Sequence, residues 1–354
     1  MTSSLIVQHA VPHYRLDVFE NVKREHEDVQ IMSGTRTLDG AVSAPNAADL
    51  VDHEGRLLSF GPFGAFLGQY RLRLHADVLI MPLNARLVDQ WMLLIGRRLA
   101  RKKTFLWGHY RSRGRSGPGH LRRAMVWLSS GVLAYTSSDG DRFRKTQSRR
   151  VLVARNSAHE FDGTCTRKVG DWRYGILVLG RISEAKRVLD SLDVLQSVVD
   201  DSPELPWRLY IVGRGEHALE QELKDRISQH PHSDRIEFLG QVSDTSGLED
   251  IGSRCAHHLI PGYAGLNVID ATSLGLISIM ADADVHAPEW EEVNVVGGLS
   301  LVRNESAAGF GREIIRLSKE LQEDELCHTA RWARDTFRPS ATAAVVVDAL
   351  RGSS

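Results

Sequence analysis

Three glycine-containing turns in the second half of the sequence carry the residues best suited to chemistry. Each turn follows an apolar, β-branched run and precedes a helical pattern: LGRISEAK contains Gly180, Arg181 and Lys186, WRLYIVGRG contains Gly213 and Gly215, and PGYAGLNVIDA contains Gly262, Gly265 and Asp270. A loop that leads from a strand into a helix presents free backbone N–H groups and the positive end of the helix dipole. Such loops suit phosphate groups.

Two cations follow the first of these strands. Arg181 comes directly after Gly180, and Lys186 lies five residues further on, near the start of the next helix. A guanidinium fork and an ammonium that converge on a diphosphate could neutralise the charge that builds up when this group leaves. The alternative is that both are surface cations on a helix that also carries Glu184.

The third turn carries a single carboxylate. Asp270 falls in the first turns of a helix that we predict to begin near Gly265 or Leu266. There it could accept hydrogen bonds from a vicinal diol such as a ribose, while the turn donates N–H groups to phosphate or sugar oxygens. Alternatively, Asp270 only stabilises the helix dipole. The second turn permits close backbone approach, but it lacks the third glycine of a dinucleotide fingerprint.

The elements that position these turns form a repeated pattern. A short β-branched strand, a turn and an amphipathic helix recur along both halves of the 354 residues, which predicts parallel sheets covered by helices on both faces. We expect an α/β fold of two doubly wound, Rossmann-like domains that face a cleft. The predicted domains are 1–165 and 166–335, with a linker over the polar segment 156–172 and a last helix, 336–354, that could return to the first domain.

Composition excludes several protein classes. The chain is 42% hydrophobic and 25% charged and has no apolar run of the roughly 18–20 residues that a transmembrane helix needs. The N-terminus lacks a basic region and a long apolar run, so we expect a cytoplasmic protein, with peripheral attachment to a membrane as a further option. We expect Cys165, Cys255 and Cys327 to be reduced and structural. Neither His257 with His258 nor the pair around Pro231 has the arrangement of a metal site.

Charge is divided unequally along the chain. Residues 1–170 hold 26 Lys and Arg against 15 Asp and Glu, whereas residues 171–354 hold 18 against 30. The run from Gln90 to Ser138 contains ten cations and no acid. Such a surface attracts anionic partners: a lipid headgroup layer, a phosphorylated acceptor or a nucleic acid backbone. The alternative is a solvated face that docks onto the acidic second half of the chain.

The turns and strands together resemble a known family. LGRISEAK, WRLYIVGRG, IEFLGQV, HHLIPGYAGLNVIDATSLGLISI and APEWEEV occur in the order and spacing of the nucleotide-sugar-dependent, retaining glycosyltransferases of family four, which have the GT-B fold. The match covers residues 173–295. In the first half, HAVPHYRLDVFENV, FLWGHY and the RNS after the tenth strand are similar to a bacterial polysaccharide-type subgroup of that family.

The resemblance implies roles for individual residues. In the second half, Arg181 and Lys186 would bind the donor diphosphate and stabilise the leaving group, and Asp270 would bind the ribose. The implied donor-binding positions also include Gly180, Gly213, Gly215, Gly240, Gly262, Tyr263, Ala264, Gly265, Leu266 and Glu289. In the first half, His109 would lie near the transferring sugar, unless it is a histidine packed beside Trp107. The implied acceptor-side residues are Tyr14, Arg15, Arg111 and Arg113, of which the first two could instead be ordinary helix-start residues.

The sequence departs from the family pattern at one motif. The family has two acids separated by seven residues, but Gly262 stands in the place of the first, and the second is shortened to Asp270. Recognition of the donor sugar would then depend on backbone amides of the Gly262–Leu266 turn or on Glu289. The identity of the donor, UDP- or GDP-linked, therefore stays open.

The implied activity is transfer of a glycosyl unit from a nucleotide diphosphate sugar to a hydroxyl, with retention of configuration and without a metal or other cofactor. The basic first half favours an anionic acceptor, first a lipid-linked glycan or polysaccharide intermediate at a membrane surface, then a modified DNA base. A small natural product is the third option. Hypotheses of another class are an inactive sugar-nucleotide-binding protein and a sugar-nucleotide epimerase; the oligomeric state is not predicted.

Overall fold

The structure is a computed structural model that describes residues 3–38, 42–110, 119–157, 159–161, 163–168, 170–242, 244–283 and 286–352. Arg111 and Arg113 lie outside these residues. The chain divides into two compact units: Met1–Ser157 with Phe337–Ser354, and Ala158–Thr336. Each unit is built around its own parallel sheet.

The first unit contains a parallel sheet and a separate hairpin. Its strands are β1 (Ser4–Gln8), β2 (Val29–Ser33), β3 (His53–Glu54), β4 (Arg56–Phe60), β5 (Phe63–Leu67), β6 (Val78–Pro82), β7 (Lys103–Trp107), β8 (Gly131–Ala134) and β9 (Arg150–Val153). Its first helices are α1 (Leu16–Glu25), α2 (Tyr70–His75), α3 (Val88–Leu99), α4 (His120–Leu128) and α5 (Ser137–Thr146). Parallel strands follow the order β3-β2-β1-β6-β7-β8-β9, and β4 pairs antiparallel with β5.

The second unit has the strand order of a dinucleotide-binding sheet. Its strands are β10 (Gly175–Leu179), β11 (Arg208–Val212), β12 (Ile236–Gly240), β13 (His257–Ile260), β14 (Ile277–Ala281) and β15 (Leu299–Val302). The helices are α6 (Asp190–Asp201), α7 (His217–Gln229), α8 (Thr245–Gly252), α9 (Asn267–Ser273), α10 (Glu289–Val295), α11 (Ala307–Glu320) and α12 (Glu323–Phe337); α13 (Pro339–Arg351) lies in the first unit. All pairs are parallel, in the order β12-β11-β10-β13-β14-β15.

Apolar patterning explains both sheets. Most central strands are apolar runs because helices cover both of their faces; β14 (ISIMA) is buried throughout, and β13 (HHLI) is the exception, with two buried histidines. In α6 the predicted helical spacing buries Leu192, Leu195 and Val199 in the core of the second unit. The predicted α/β fold of two Rossmann-like sheets is therefore confirmed.

Several local expectations were wrong. The apolar run LLSFG, which the repeated pattern predicts to be a strand of the parallel sheet, instead forms β4 of an antiparallel hairpin, because Gly61 and Pro62 reverse the chain directly after it. Much of the predicted linker packs within the second unit: Phe161 is buried there, and Arg167 donates to the carbonyl oxygens of Gly252 and Cys255. Cys165 and Cys327 form a disulfide, with Cα atoms 5.3 Å apart, so only Cys255 is free among the cysteines.

The last helix belongs to the core of the first unit. Ala343, Val346, Val347 and Leu350 of α13 are buried in a cluster that also contains Phe19 of α1. Arg150 of β9 forms an ion pair with Asp348, which also fixes α13 in this unit. Of the helices in the described parts of the chain, none combines the length and the apolar character needed to cross a bilayer.

Candidate active site

The strand order of the second unit brings the first and third glycine turns together. Strands β10 and β13 are neighbours, and the chain moves outward from them in opposite directions along the sheet. In doubly wound sheets ligands bind at this point, beyond the carboxyl ends of the strands. The turn after β10 carries Arg181 and Lys186, and the turn after β13 carries Gly262 to Leu266.

Glycines allow the turns after β10 and β11 to touch each other. Gly180 and Gly213 have φ angles of +124° and +156°, which favour glycine. A Cβ atom on Gly213 would lie 1.9 Å from the carbonyl oxygen of Gly180, and one on Gly215 would lie 2.3 Å from that of Ile182. Gly240 has a φ of +64°, and its carbonyl accepts from the N–H of Gly213 at 2.7 Å. The predicted glycines thus shape the turns, while their contact with a donor stays a prediction.

Lys186 is the partly buried cation of this site. It ends a 3₁₀ turn, Glu184–Lys186, and its Nζ donates to Asn267 Oδ1 at 3.1 Å and to the Tyr263 carbonyl at 3.4 Å. Burial lowers the pKa of Lys186 to about 8, and the positive charge of Arg181 contributes to this shift. The ammonium is fixed by neutral oxygens and lies near a second cation. An anion between the two cations would relieve their repulsion.

Asn267 organises the site, and sequence reasoning missed it. Its Nδ2 donates to the Leu179 carbonyl at 3.2 Å and to His258 Nε2 at 3.3 Å. Its Oδ1 accepts from the N–H of Gly265 at 3.0 Å as well as from Lys186. The first residue of α9 therefore ties the ends of β10 and β13 to the Gly262–Leu266 turn. An asparagine that follows a glycine turn was the available signal.

His258 supports Asn267 from inside the sheet. Its Nδ1 lies 2.9 Å from Ser278 Oγ on β14, and burial lowers its pKa to about 3. The ring is therefore neutral at physiological pH, and a neutral ring has one nitrogen that can accept a hydrogen bond. Adjacent His257 is buried too, and its Nε2 lies 2.9 Å from the Arg173 carbonyl oxygen.

Gly262 is packed too tightly for any side chain. A Cβ atom there would lie 2.5 Å from the Ala185 carbonyl oxygen and 2.7 Å from the carbonyl carbon of Lys186. Both contacts are with backbone, which cannot move aside as a flexible side chain could. The acid that the family pattern has at this position is therefore incompatible with the way this turn packs on the turn that carries Lys186.

The amides of the Gly262–Leu266 turn are largely engaged within the protein. Tyr263 N–H donates to the Ala185 carbonyl at 2.7 Å, Ala264 N–H to His286 Nδ1 at 3.1 Å, and Gly265 N–H to Asn267. We expected these groups to contact the donor. A donor could reach these three amides only by replacing bonds that now hold the turn in shape.

The two predicted acids differ in their surroundings. Asp270 Oδ1 accepts from both the backbone N–H and the Nδ1 of His159, each at 3.0 Å. The predicted ribose anchor is thus occupied by a neighbouring segment of its own unit. Glu289 is buried at the start of α10, and its predicted role towards the donor sugar stays a prediction.

The first unit has a second cluster of predicted residues. Arg15 is buried, with its guanidinium carbon 4.1 Å from the centroid of the Trp107 ring and 5.1 Å from that of Tyr135. Its Nη2 donates to Asn156 Oδ1 at 3.2 Å. Cation–π contacts on this scale hold a guanidinium firmly. Arg15 is therefore more than an ordinary helix-start residue, whereas Tyr14 beside it is exposed.

His109 is paired with a carboxylate that sequence reasoning missed. Its Nδ1 lies 3.1 Å from Oδ2 of the buried Asp139, and its backbone carbonyl accepts from Arg122. Asp139 is held in turn because its N–H donates to Thr136 Oγ1 at the start of α5. A histidine held by a buried acid has a fixed orientation, which suits a group that positions a substrate hydroxyl. The two residues are 30 positions apart, so no local motif joins them.

Comparison with known families decides the class of the second unit. Residues 173–320 match the family model Glycosyl transferases group 1. This segment is similar to the group 1 glycosyltransferases. The prediction of a glycosyltransferase enzyme is confirmed at this level. The matched segment contains Arg181, Lys186, Asn267 and Asp270.

Solved structures of the GT-B fold are similar to the whole chain. Its structure is similar to that of Anabaena Alr3699/HepE in complex with UDP, with a TM-score of 0.68, 14% identity and full coverage of both chains. It is also similar to the apo form of the lipopolysaccharide outer core galactosyltransferase WaaB (0.63, 12%, 99% of each chain). A third is the sucrose-phosphate synthase from Thermosynechococcus elongatus (0.61, 14%, 99% of each chain). No curated protein matches the sequence significantly.

Among the described residues, no group of three or more His, Cys, Asp or Glu side chains is arranged to hold a metal ion. Metal-independent transfer stays a prediction.

Proposed function

We propose that this chain transfers a glycosyl unit from a nucleotide diphosphate sugar to a hydroxyl acceptor, with retention of anomeric configuration, as the family-four resemblance implies. The observation that carries the proposal is the position of Lys186: it is held by Asn267, lies near Arg181 and occupies the switch point of the sheet. A polyanion is the ligand that this arrangement stabilises most.

The two cations would act on the leaving group. A diphosphate would restore the full charge of Lys186, whose pKa burial has lowered, and Arg181 would form paired hydrogen bonds with phosphate oxygens. Stabilisation of a leaving diphosphate by fixed cations requires no metal ion. The departing phosphate can accept the proton of the acceptor hydroxyl on the same face of the sugar, which yields retention.

The proposed donor is UDP-linked, with a GDP-linked sugar as the second choice. Alr3699/HepE was solved with UDP and with UDP-glucose. Asp270 would bind the ribose after its bond with His159 is replaced.

The proposed acceptor is anionic: a lipid-linked glycan or a polysaccharide intermediate. The basis is the acid-free, cation-rich run from Gln90 to Ser138, together with the oriented His109 and the buried Arg15 in the first unit. Tyr14, Arg111 and Arg113 are proposed acceptor contacts from the sequence alone.

The test is nucleotide release from UDP-, GDP- and dTDP-sugars in the presence of lipid-linked and soluble acceptors. We expect Arg181→Ala to slow release by about a hundredfold, since it removes one charge from the leaving-group site. Arg187→Ala is the matched control, because Arg187 is exposed and paired with Asp190 and Glu305.

Three results would contradict the proposal. If Arg181→Ala leaves the rate of nucleotide release unchanged, Arg181 does not act at the leaving-group site. Tight binding of UDP without turnover of any sugar would indicate an inactive sugar-nucleotide-binding protein. A product whose anomeric proton coupling shows inversion would exclude the retaining mechanism.

A further inference from the structure

The outer face of α3 is apolar. Val88, Met92, Ile95 and Leu99 are separated by four, three and four residues, so they form one stripe along the helix. All four are exposed, by 46% to 81% of their surface. The opposite face is buried and includes Arg97, which donates to several carbonyl oxygens. This helix therefore shows apolar side chains to the outside and buries a charged one.

Helix α4 extends the apolar stripe. Leu121 and Trp127 of α4 are exposed, and the guanidinium carbon of Arg98 on α3 lies 5.8 Å from the centroid of the Trp127 ring. We call the exposed residues of these two helices the α3–α4 face. Of the sixteen large hydrophobic side chains exposed in the described parts of the chain, six belong to this face. Exposed apolar side chains are thus concentrated here rather than scattered singly.

Cations surround this face and acids are absent from it. Arg98, Arg101 and Arg123 are exposed, and residues 90–138 contain no acid. The nearest preceding acid, Asp89, is buried and paired with Arg73 at 2.8 Å. Apolar side chains and tryptophan flanked by Arg and Lys are typical of surfaces that enter the interface of an anionic bilayer.

The positive charge of the α3–α4 face favours an anionic lipid surface over a second copy of this chain as its binding partner. A symmetric contact between two copies of this chain would place each face against itself, so that its cations would oppose like cations. An anionic lipid surface instead receives the apolar stripe among its acyl chains and pairs the cations with its headgroups.

We propose that the α3–α4 face binds the surface of an anionic lipid bilayer. Binding would bring the first unit to a place where lipid-linked hydroxyls are found. None of the residues assigned to the donor site lies on this face, so the inference stands apart from the proposed transfer reaction.

The test is co-sedimentation of the full chain with phosphatidylcholine vesicles that contain or lack phosphatidylglycerol. We expect binding only when phosphatidylglycerol is present, and binding that weakens as salt is raised. Leu99→Glu and Met92→Glu should each weaken it by about tenfold or more, because a charge replaces an inserted apolar group. Val295→Glu is the matched control: Val295 is 84% exposed on the second unit, against 81% for Leu99.

A double change, Arg98→Gln with Arg101→Gln, tests the electrostatic part. We expect at least about tenfold weaker binding at low salt, since each cation near an anionic surface contributes on the order of 1 kcal/mol. Thermal unfolding of every variant reports whether the fold is retained. UDP binding measured without vesicles reports separately on the donor site.

Several results would overturn the inference. These are no sedimentation with either vesicle, equal sedimentation with both, or a loss with Val295→Glu as large as with Leu99→Glu. A self-associated form that Leu99→Glu dissociates, without vesicle binding, would show that a second copy occupies the face.

Discussion

Lys186 Nζ and Asn267 Oδ1 lie 3.1 Å apart, although 81 residues separate them in the chain. The contact joins the turn after β10 to the first residue of α9. It holds an ammonium in place with a neutral oxygen, without a carboxylate that would cancel its charge. A cation fixed in this way keeps its attraction for an incoming diphosphate.

The first prediction concerns the pH dependence of nucleotide binding. The lowered pKa of Lys186, about 8, means that the ammonium of the unliganded protein loses its proton above that pH. UDP should bind the protonated form, so its affinity should fall above about pH 8, by at most about tenfold per pH unit. Isothermal titration in buffers of different ionisation enthalpy would measure both the affinity and the proton uptake.

The lowered pKa of Lys186 also makes the free energy of unfolding depend on pH, but in the opposite direction. Between about pH 8 and the ordinary lysine value of 10.5, Lys186 holds more protons in the unfolded chain than in the folded one. Burying the charged ammonium therefore lowers the free energy of unfolding below pH 8, and this loss is relieved as the pH rises to 10.5. In Lys186→Met the rise in the free energy of unfolding over this pH window should be absent, and UDP affinity should no longer fall above about pH 8. An affinity that is constant from about pH 7 to 9 would contradict the assignment.

The second prediction concerns the packing of Gly262. Gly262→Ala should lower the free energy of unfolding by about 1–3 kcal/mol and weaken UDP binding, because the new methyl group meets the backbone of Ala185 and Lys186. Gly265→Ala is the matched control, since its nearest contact would be 3.6 Å away. Urea unfolding and UDP titration of both variants would test this. Equal stability of the two variants would show that the turn can move.

The third prediction concerns competition for Asp270. His159→Ala removes the ring that shares Oδ1 of Asp270 while the backbone N–H remains. If Asp270 binds the ribose, UDP affinity should rise by roughly two- to tenfold, the worth of one hydrogen bond. Asp270→Asn should weaken binding by a similar factor. The ribose assignment fails if neither variant changes the affinity.

The fourth prediction concerns the orientation of His109. Asp139→Asn should lower the rate of glycosyl transfer by about a hundredfold, with little change in UDP affinity, because His109 loses its positioning carboxylate. Asp141→Asn, two residues further on the same helix and exposed, is the matched control. Separate measurement of kcat and of the KM for the sugar nucleotide, with thermal unfolding of both variants, would distinguish this role from a structural one: loss of orientation should lower kcat alone. A rate unchanged in Asp139→Asn would exclude the role.

Much of the fold followed from periodicity, because both sheets are built from continuous apolar strands with helices between them. Amphipathic α6 and α7 were predicted for that reason. Helix α5 was missed because SSDGDRFRKT is polar and contains a glycine, so it has little apolar periodicity. Thr136 stabilises the start of this helix, because its side chain accepts a hydrogen bond from the N–H of Asp139. The β4–β5 hairpin was missed because the glycines and proline after β4 could also end a parallel strand.

Sequence patterns predicted the site residues whose type and position indicate a chemical role directly. Arg181 and Lys186 stand out as cations after a glycine. Asn267, Asp139 and His286 act through partners distant in sequence, and their types are common in helix starts and loops, so spacing alone does not identify them. The Cys165–Cys327 bridge spans 162 residues and left no local pattern either.

The position of α13 bears on how the chain acquires its structure during synthesis. The first sheet is translated within the first 157 residues, but Val346, Val347 and Leu350, which complete its core, are made about 190 residues later. At ribosomal speeds of about 5–20 residues per second, this leaves the nascent sheet uncovered for roughly ten to forty seconds. During that interval the second unit can fold before the first is finished.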